Sequence, residues 1–396
     1  MMKVYKFNKI YLKRKPIFNI LLFIIDLLLS LTISRKKHLL NVASPASILL
    51  ANGAHLGDVI LSTCVLPVLK SAYPEVKIGF IVGSWSKLIV DKNPLVDFVH
   101  TVDHWKLNRN SCSLYAKFKQ YIKTYSTALR EIRDIKYDIS IDLYTCFPNM
   151  IPLLWYSKIP VRIGYISSGF GPLLTTGLFF REQANHETQY QLDLIRQLPI
   201  EDSHFNRRHS VLPTITREAE KEVSKLIGVD FIADARYRII HMGSGLLAKE
   251  WPERSWRLLA ERLVNENILL LFTGNGSREH EKIERTITTL PNCINACNRL
   301  SWLAYLAALQ HAELLYCTDS MPGHAAAAFN TKCVIVYSGV TSPDRWKPLS
   351  NANKIVTYKM PCSPCYKKNG CEHMKCIRGI SVDQIYNAGL NLCSQL

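Results

Sequence analysis

The most constraining feature of this chain is a repeated alternation, after residue 40, between short apolar runs and segments of helical periodicity. Such repeats place successive strands parallel in one sheet and cover both faces of the sheet with helices. A polar, proline-bearing stretch over residues 201–217 separates two series of strands. The pattern therefore predicts an α/β fold with two doubly wound parallel sheets. The expected strands are residues 48–51, 77–82, 98–102, 138–143, 162–165, 237–241, 268–272, 313–317 and 333–337.

Length and composition agree with this prediction. The 396 residues suffice for two domains, and a hydrophobic fraction of 48% suffices for a core in each. We expect a basic, apolar helical segment over residues 1–40 and doubly wound α/β domains over residues 41–215 and 216–396, the second ending in a cysteine-rich tail. The remaining cysteines are scattered through expected strands and helices, which favours a reducing compartment without a disulfide framework.

The N-terminal segment carries much of the formal net charge of +17, with nine Lys or Arg and a single Asp in the first 40 residues. Between two basic clusters lies an apolar run, residues 17–33, without a convincing signal-peptide cleavage site. Asn19, Asp26 and Ser30 would share one face of a helix there. We expect this helix to lie in the interface of an anionic membrane. A helix docked on the protein's own surface is the alternative, and a membrane-spanning helix is a third reading.

A glycine turn places one carboxylate, Asp58, after the first apolar strand. Gly57 and Asp58 precede a run of apolar residues at helical spacing, so Asp58 would lie at a helix start beyond the carboxyl end of a strand. Ligands of open parallel sheets collect at that edge. An isolated Asp at such a position more often caps the helix. The alternative is a general base, and the second half of the chain favours it.

Three polar loops follow strands of the second series. The first contains Gly243-Ser244-Gly245 with Lys249 after it, a combination that suits a phosphate group. The second contains Gly274 and Glu279, whose carboxylate could accept hydrogen bonds from a ribose, although an ordinary loop is the slightly favoured reading. The third runs from Asp319 through Ser320, Gly323 and His324 into four alanines, Ala325 to Ala328. Together the three loops predict a nucleotide pocket.

These motifs, in this order, resemble glycosyltransferase family nine, the group that includes the lipopolysaccharide heptosyltransferases. The resemblance runs from about Ile48 to Ile385. It rests on Gly57-Asp58, on residues 93–97 and 136–143, on Gly243 to Gly245 with Lys249 to Pro252, on Asp319 to His324, and on the cysteine-rich tail. It implies the GT-B architecture, two Rossmann-like domains facing a cleft. The acceptor would bind to residues 41–215 and the nucleotide sugar to residues 216–396.

The resemblance also implies an activity and residue roles. We expect inverting, metal-independent transfer of a heptose or related sugar from ADP-heptose or a similar donor to a lipopolysaccharide core acceptor. A protein acceptor is the alternative within the same family. Asp58 would be the catalytic base, and no cofactor would be required for catalysis. The sequence has no Asp-x-Asp metal clamp, so fixed cations and dipoles would stabilise the leaving diphosphate. The expected donor-binding residues are Gly57, Ser244, Lys249, Gly274, Glu279, Asp319, Ser320, Gly323 and His324.

One position departs from the family pattern. The family usually has Asp-Ser-Gly-Pro-x-His, whereas this chain has Met321 in place of the glycine and Gly323 after the proline. If that glycine lets the backbone approach the nucleotide, Met321 would narrow the pocket or change the donor preference. Asp319 and His324 keep their spacing.

The tail contains four cysteines, Cys362, Cys365, Cys371 and Cys376. Cys-x2-Cys suits a tetrahedral metal, and two further thiols complete four ligands. We therefore weigh a structural zinc or iron equally against free thiols.

The sequence is also compatible with two other classes of protein. A nucleic-acid-binding protein with a four-cysteine knuckle would explain the charge, but the positive charge is concentrated beside an apolar segment. A catalytically inactive scaffold would explain the fold, but Asp58, Lys249, Asp319 and His324 are all present. The expected partners are a nucleotide-sugar donor, an anionic glycolipid acceptor and the cytoplasmic membrane, with no nucleic acid. The expected location is cytoplasmic, peripheral on the inner face of that membrane.

Overall fold

The computed structural model describes residues 16–33, 44–180, 185–207, 209–230, 232 and 235–394. The chain divides into two compact units, Met1–Pro213 and Thr214–Leu396. We call them unit 1 and unit 2. Each contains its own six-stranded parallel sheet and its own apolar core.

The sheet of unit 1 has the strand order β3-β2-β1-β4-β5-β6. Every neighbouring pair is parallel, and Ile48 of the central strand aligns with Ile78 on one side and Ile139 on the other. The order reverses direction between β1 and β4, which is the position where open α/β sheets bind ligands. The strands are β1 (Ser47–Ala51), β2 (Lys77–Val82), β3 (Phe98–Thr101), β4 (Ile139–Asp142), β5 (Val161–Tyr165) and β6 (Thr176–Leu178).

Helices cover both faces of this sheet. The longest begins at Ser113, whose side chain accepts a hydrogen bond from Ala116 N, and ends where Lys136 adopts a left-handed conformation. The helices are α1 (Pro16–Thr32), α2 (Leu56–Ser62), α3 (Val65–Ala72), α4 (Lys87–Val90), α5 (Leu114–Ile135), α6 (Ile151–Tyr156) and α7 (Glu187–Ile195).

Unit 2 repeats the plan, with the order β12-β11-β10-β7-β8-β9 and the reversal between β7 and β10. Its strands are β7 (Tyr237–His241), β8 (Leu269–Thr273), β9 (Cys293–Asn295), β10 (Leu314–Thr318), β11 (Cys333–Tyr337) and β12 (Asn353–Thr357). Its helices are α8 (Arg217–Ile227), α9 (Glu253–Val264), α10 (Ser277–Ile287), α11 (Trp302–His311), α12 (Met321–Ala328), α13 (Pro343–Trp346), α14 (Lys375–Arg378) and α15 (Val382–Cys393).

The predicted α/β class with two doubly wound parallel sheets is confirmed. Each of the nine expected strands forms within one residue of its expected ends. The sequence missed β6, β9 and β12, which are three of the four edge strands of the two sheets. These strands are partly exposed and therefore lack the continuous apolar run that marks a central parallel strand.

Helix α1 packs against the rest of unit 1. Leu22 is buried against Gly169, and the carboxylate of Asp26 accepts a hydrogen bond from Phe170 N at 2.7 Å. Asn19 is also buried. Two members of the expected polar stripe thus face the protein, which agrees with the alternative of a helix docked on the protein's own surface. The basic clusters on either side of the helix lie outside the described residues.

Within the described residues, no helix combines the length and the apolar character needed to cross a bilayer.

Candidate active site

In unit 1, Asp58 lies in the first turn of α2, beyond the carboxyl end of β1 and beside the reversal of strand order. Its Oδ2 accepts a hydrogen bond from His55 N at 3.2 Å, so the capping interaction weighed for this residue is present. The Asp58 carboxylate is half-buried, and Gly57 precedes it in the same turn. A capping carboxylate keeps lone pairs for a second donor.

A buried amide holds the turn that carries Asp58. Asn52 donates to Ser62 Oγ at 2.7 Å and accepts from Ala54 N at 3.0 Å. Gln191 of α7 donates to the same Ser62 oxygen at 2.8 Å. The amide of Asn52 therefore ties the turn to α2, and Ser62 in turn connects α2 to α7.

On the other side of the point where the strand order of unit 1 reverses, a second carboxylate orders the loop that follows β4. Asp142 is buried and accepts hydrogen bonds from Tyr144 N at 3.2 Å and Met150 N at 2.8 Å. Burial raises the pKa of Asp142 to about 7, against the opposing effect of these N–H groups. Arg109 lies near this edge: burial lowers the pKa of its guanidinium, while the negative charge of Asp58 opposes that shift. A cation therefore accompanies Asp58.

In unit 2 the polar loops that follow β7 and β10 are joined by hydrogen bonds. The carbonyl oxygen of Gly243 accepts from Thr318 Oγ1 at 2.7 Å and from Ser320 Oγ at 3.3 Å. Because β7 and β10 are neighbours at the reversal of strand order, this contact lies at the expected ligand position.

An ion pair connects the same two regions. Lys249 Nζ lies 2.6 Å from Asp319 Oδ2, and both side chains are largely buried. Thr341 donates to the same carboxylate oxygen at 2.8 Å. The Lys249 segment is anchored by Trp251, whose indole N–H donates to Ile380 O at 3.0 Å. Sequence reasoning missed Thr341, which lies in a loop without a motif.

The loop after β8 places Glu279 against two glycines. A Cβ at Gly243 would come within 2.1 Å of one carboxylate oxygen of Glu279, and a Cβ at Gly274 within 2.8 Å of the other. Asn275 N donates to this carboxylate at 2.9 Å. Burial raises the pKa of Glu279, against the opposing effect of that N–H. The structure therefore brings Gly243, Gly274 and Glu279 together.

A charged group that sequence reasoning did not assign lies next to Ser244. Glu250 accepts from Ser244 N at 3.4 Å, pairs with Lys282 at 3.1 Å and also pairs with Arg278. In the sequence, the position of Glu250 directly after Lys249 was the sign that it would lie at this site. Nearby, desolvation lowers the pKa of His241 to about 4, so its imidazole is neutral at physiological pH.

The remaining expected donor residues lie in α12. Gly323 packs closely on the sheet: a Cβ there would be 3.2 Å from Ile335 Cδ1 and 3.5 Å from Cys317 Sγ. His324 is buried in the same helix, and Met321 begins it. Gly323 thus allows close approach of α12 to β10 and β11.

The four tail cysteines differ in their exposure to solvent. Cys362 and Cys371 are exposed, whereas Cys376 is buried on α14. Among the described residues, no group of three or more His, Cys, Asp or Glu is arranged to hold a metal ion. The sequence left a zinc or iron site and free thiols equally open; in the described structure the four cysteines are free, and Cys376 packs beside Gly339, where a Cβ would lie 3.1 Å from Cys376 Cβ.

The two Rossmann-like sheets and the polar loops at their carboxyl edges define the class of GT-B-like glycosyltransferases. Residues 126–375, more than half of the chain, match the family model of glycosyltransferase family 9 (heptosyltransferase). The chain belongs to this family. Asp58 precedes the matched range.

Similar proteins of known identity agree. The chain is 24% identical to lipopolysaccharide heptosyltransferase 1 of Pseudomonas aeruginosa over 328 residues, covering 81% of this chain and 86% of that protein. A family 9 glycosyltransferase from Veillonella parvula has a similar fold, with a TM-score of 0.74, 20% identity, and coverage of 89% of this chain and 98% of the other. The ADP-heptose lipopolysaccharide heptosyltransferase II of E. coli aligns with a TM-score of 0.69 and 18% identity, over 88% and 99% of the two chains.

Proposed function

We propose that this glycosyltransferase transfers a heptose or related sugar from ADP-heptose, or a similar nucleotide sugar, to a lipopolysaccharide core acceptor. The ion pair between Lys249 and Asp319 carries the proposal. It holds a cation at the reversal of strand order in unit 2, where the diphosphate of a nucleotide ligand would bind. The lipopolysaccharide heptosyltransferases similar to this chain support the donor and acceptor classes.

The donor would be held by unit 2. Lys249 and the backbone N–H groups of the loop over residues 243–245 would stabilise negative charge that develops on the leaving diphosphate. Asp319 would orient the Lys249 ammonium before the donor arrives. Glu279 would accept hydrogen bonds from the ribose, since its carboxylate lies against the same loop through Gly243.

The acceptor would react at unit 1. The acceptor hydroxyl oxygen would form a bond to the anomeric carbon from the face opposite the diphosphate, while the carbon–oxygen bond to the diphosphate breaks and its electron pair stays with the phosphate. Asp58 would take the hydroxyl proton as general base. The product would have inverted configuration and no metal would take part. Arg109 beside Asp58 suits an acceptor that carries phosphate or carboxylate groups.

The proposed location is the cytoplasmic face of the inner membrane, where the enzyme would be peripheral. The outward face of α1 supports this proposal, because large apolar side chains are exposed along it. The nine basic residues of the first 40 would add attraction to anionic lipid.

A donor and acceptor screen tests the proposal. Purified protein is incubated with ADP-heptose, ADP-glucose or a uridine diphosphate sugar and with heptose-deficient lipopolysaccharide, and mass spectrometry follows both substrates. We expect ADP release and a mass gain of one heptose residue on the glycolipid, with the other donors consumed far more slowly. Sugar transferred only to a protein acceptor would refute the glycolipid acceptor, and exclusive use of a uridine donor would refute the donor class.

A further inference from the structure

Helix α1 has two opposite faces. One packs on unit 1 through Leu22, Asp26 and Leu29, and the other exposes large apolar side chains over an arc of about 160°. The exposed residues of this outer face are Ile17, Ile20, Leu21, Phe23, Ile24, Leu27, Leu28 and Leu31. A patch of this extent is unusual on a soluble monomer and marks an interaction surface.

A second apolar surface lies on α5. Leu114 and Tyr115 are 75% and 77% exposed, and Phe118 and Ile122 follow them on the same side of the helix, within an arc of about 100°. We call these four residues the α5 ridge. They lie at the N-terminal end of the helix, where most of the side chains are exposed.

Basic residues accompany the α5 ridge. Residues 104–130 contain six Lys or Arg and no Asp or Glu. Lys119 and Lys123 are exposed on the strip of α5 beside the ridge. An apolar ridge flanked by lysines suits the boundary between the headgroups and acyl chains of an anionic leaflet.

Aromatic contacts join the two surfaces. Phe18 of α1 lies 5.0 Å from Phe147 between ring centroids, and Lys106 Nζ lies within 5 Å of both rings. On the other side, Trp105 lies 5.6 Å from Phe118 of α5. His104 contacts both Trp105 and Phe147 and completes the connection.

We propose that the outer face of α1 and the α5 ridge form one surface that inserts into an anionic lipid leaflet. This inference rests on the proposed membrane location and adds a second insertion point to it. A second copy of the chain is a poorer occupant, because a two-fold contact through the ridge would bring Lys119 and Lys123 near their own copies. A lipid leaflet with negative headgroups satisfies both the apolar and the basic residues.

Vesicle binding of the full-length chain tests the inference. Sedimentation with phosphatidylglycerol/phosphatidylethanolamine vesicles is compared for the wild type, for the triple variant Leu114→Ser, Tyr115→Ser, Ile122→Ser, and for a control with the same number of exposed apolar residues changed in unit 2. The control is Leu258→Ser, Tyr358→Ser, Leu390→Ser. We expect at least tenfold weaker binding for the α5 variant, and unchanged binding for the control.

A charge variant keeps the inference testable if the triple variant loses its fold. Lys119→Gln with Lys123→Gln removes two charges at exposed positions and should weaken binding roughly thirtyfold, from about 1 kcal/mol for each charge. If both α5 variants bind vesicles as the wild type does, while substitutions on the outer face of α1 abolish binding, the α5 contact is overturned. The membrane proposal then still stands. Absence of vesicle binding by the wild type would refute the membrane proposal itself. A wild-type dimer that the triple variant converts to monomer would identify a second copy as the occupant and overturn the lipid contact.

Discussion

Lys249 Nζ and Asp319 Oδ2 form a 2.6 Å ion pair between the segment that follows β7 and the start of the loop that follows β10. Thr341 donates to the same carboxylate, so three separate segments of unit 2 meet at one oxygen atom. The arrangement holds an ammonium group in a fixed place with little exposure to water. Charge-assisted contacts are strongest under those conditions.

Replacing Lys249 with Met should weaken ADP binding by about 1.5–3 kcal/mol, or roughly ten- to hundredfold, because the diphosphate loses a charge-assisted hydrogen bond. Isothermal titration calorimetry measures the change. Lys282→Met is the matched control, since that lysine is similarly buried in unit 2 and pairs with Glu250. If both variants lost the same amount of ADP affinity, the cause would be the overall positive charge of unit 2. A direct contact between Lys249 and the diphosphate would then be refuted.

Asp58→Asn should lower the transfer rate roughly a hundredfold or more while ADP affinity stays the same, because the amide is not a general base. Asn retains one oxygen that can accept from His55 N, so the cap of α2 is preserved and the melting temperature should change little. Turnover with the heptose donor, measured beside thermal unfolding, separates the two roles. Near-normal turnover would leave Asp58 with the capping role alone.

Gly243→Ala should reduce ADP affinity severalfold with a small change in thermal stability. The new Cβ would meet the carboxylate of Glu279, which can move away only by leaving its place against the loop. Gly228→Ala is the control, for which we expect the opposite changes in stability and ADP affinity. Gly228 ends α8 at φ +75° with open space around it, so alanine there should cost about 1–2 kcal/mol of stability and leave ADP binding unchanged. The same response from both variants would disprove a role for the Gly243 contact in the donor site.

Asp142 gives a pH-dependent prediction. Its pKa is raised from 3.8 to about 7 in the folded protein, so the folded state holds a proton to higher pH than the unfolded chain does. Its contribution to stability therefore falls as the pH rises from about 4 to about 7 and is constant above that range. Melting temperatures of the wild type and Asp142→Asn at pH 5 and pH 8 test the sign. The wild type should lose stability relative to the variant at the higher pH; a constant difference would contradict the raised pKa.

A test of the role of α1 in membrane binding requires substitutions that leave its packing on the protein intact. Ile24→Ser with Leu28→Ser and Leu31→Ser changes three exposed positions, and it should reduce binding to anionic vesicles at least tenfold without altering the melting temperature. Leu22→Ala changes the buried face and should cost about 2–5 kcal/mol of stability. Deletion of the helix would be less informative, since it would remove the acceptor of the Phe170 N–H. If the outer-face variant bound vesicles as the wild type does, α1 would have no part in membrane binding.

The central strands were predictable because parallel strands buried on both faces carry continuous apolar runs. The edge strands β6, β9 and β12 lack that signal. At the candidate site, the contact between Lys249 and Asp319 was not visible in the sequence, because the two residues are brought together only by the adjacency of β7 and β10. Thr341 was missed for a related reason: its partner Asp319 is fixed by tertiary packing and not by a local motif. The four tail cysteines were left open between a metal site and free thiols because spacing alone does not fix their arrangement; among the described residues no group of three or more ligands is placed to hold a metal ion.

The repeated strand order has a practical consequence for engineering. Since each unit has a sheet of its own, we expect that the loops that follow β7, β8 and β10 can be exchanged for those of another family member while the strands that support Asp58 stay folded. Donor preference and acceptor preference should therefore be separable traits, open to independent selection in a library that varies one unit at a time. Met321, at the start of α12, is the natural first position to vary in such a library.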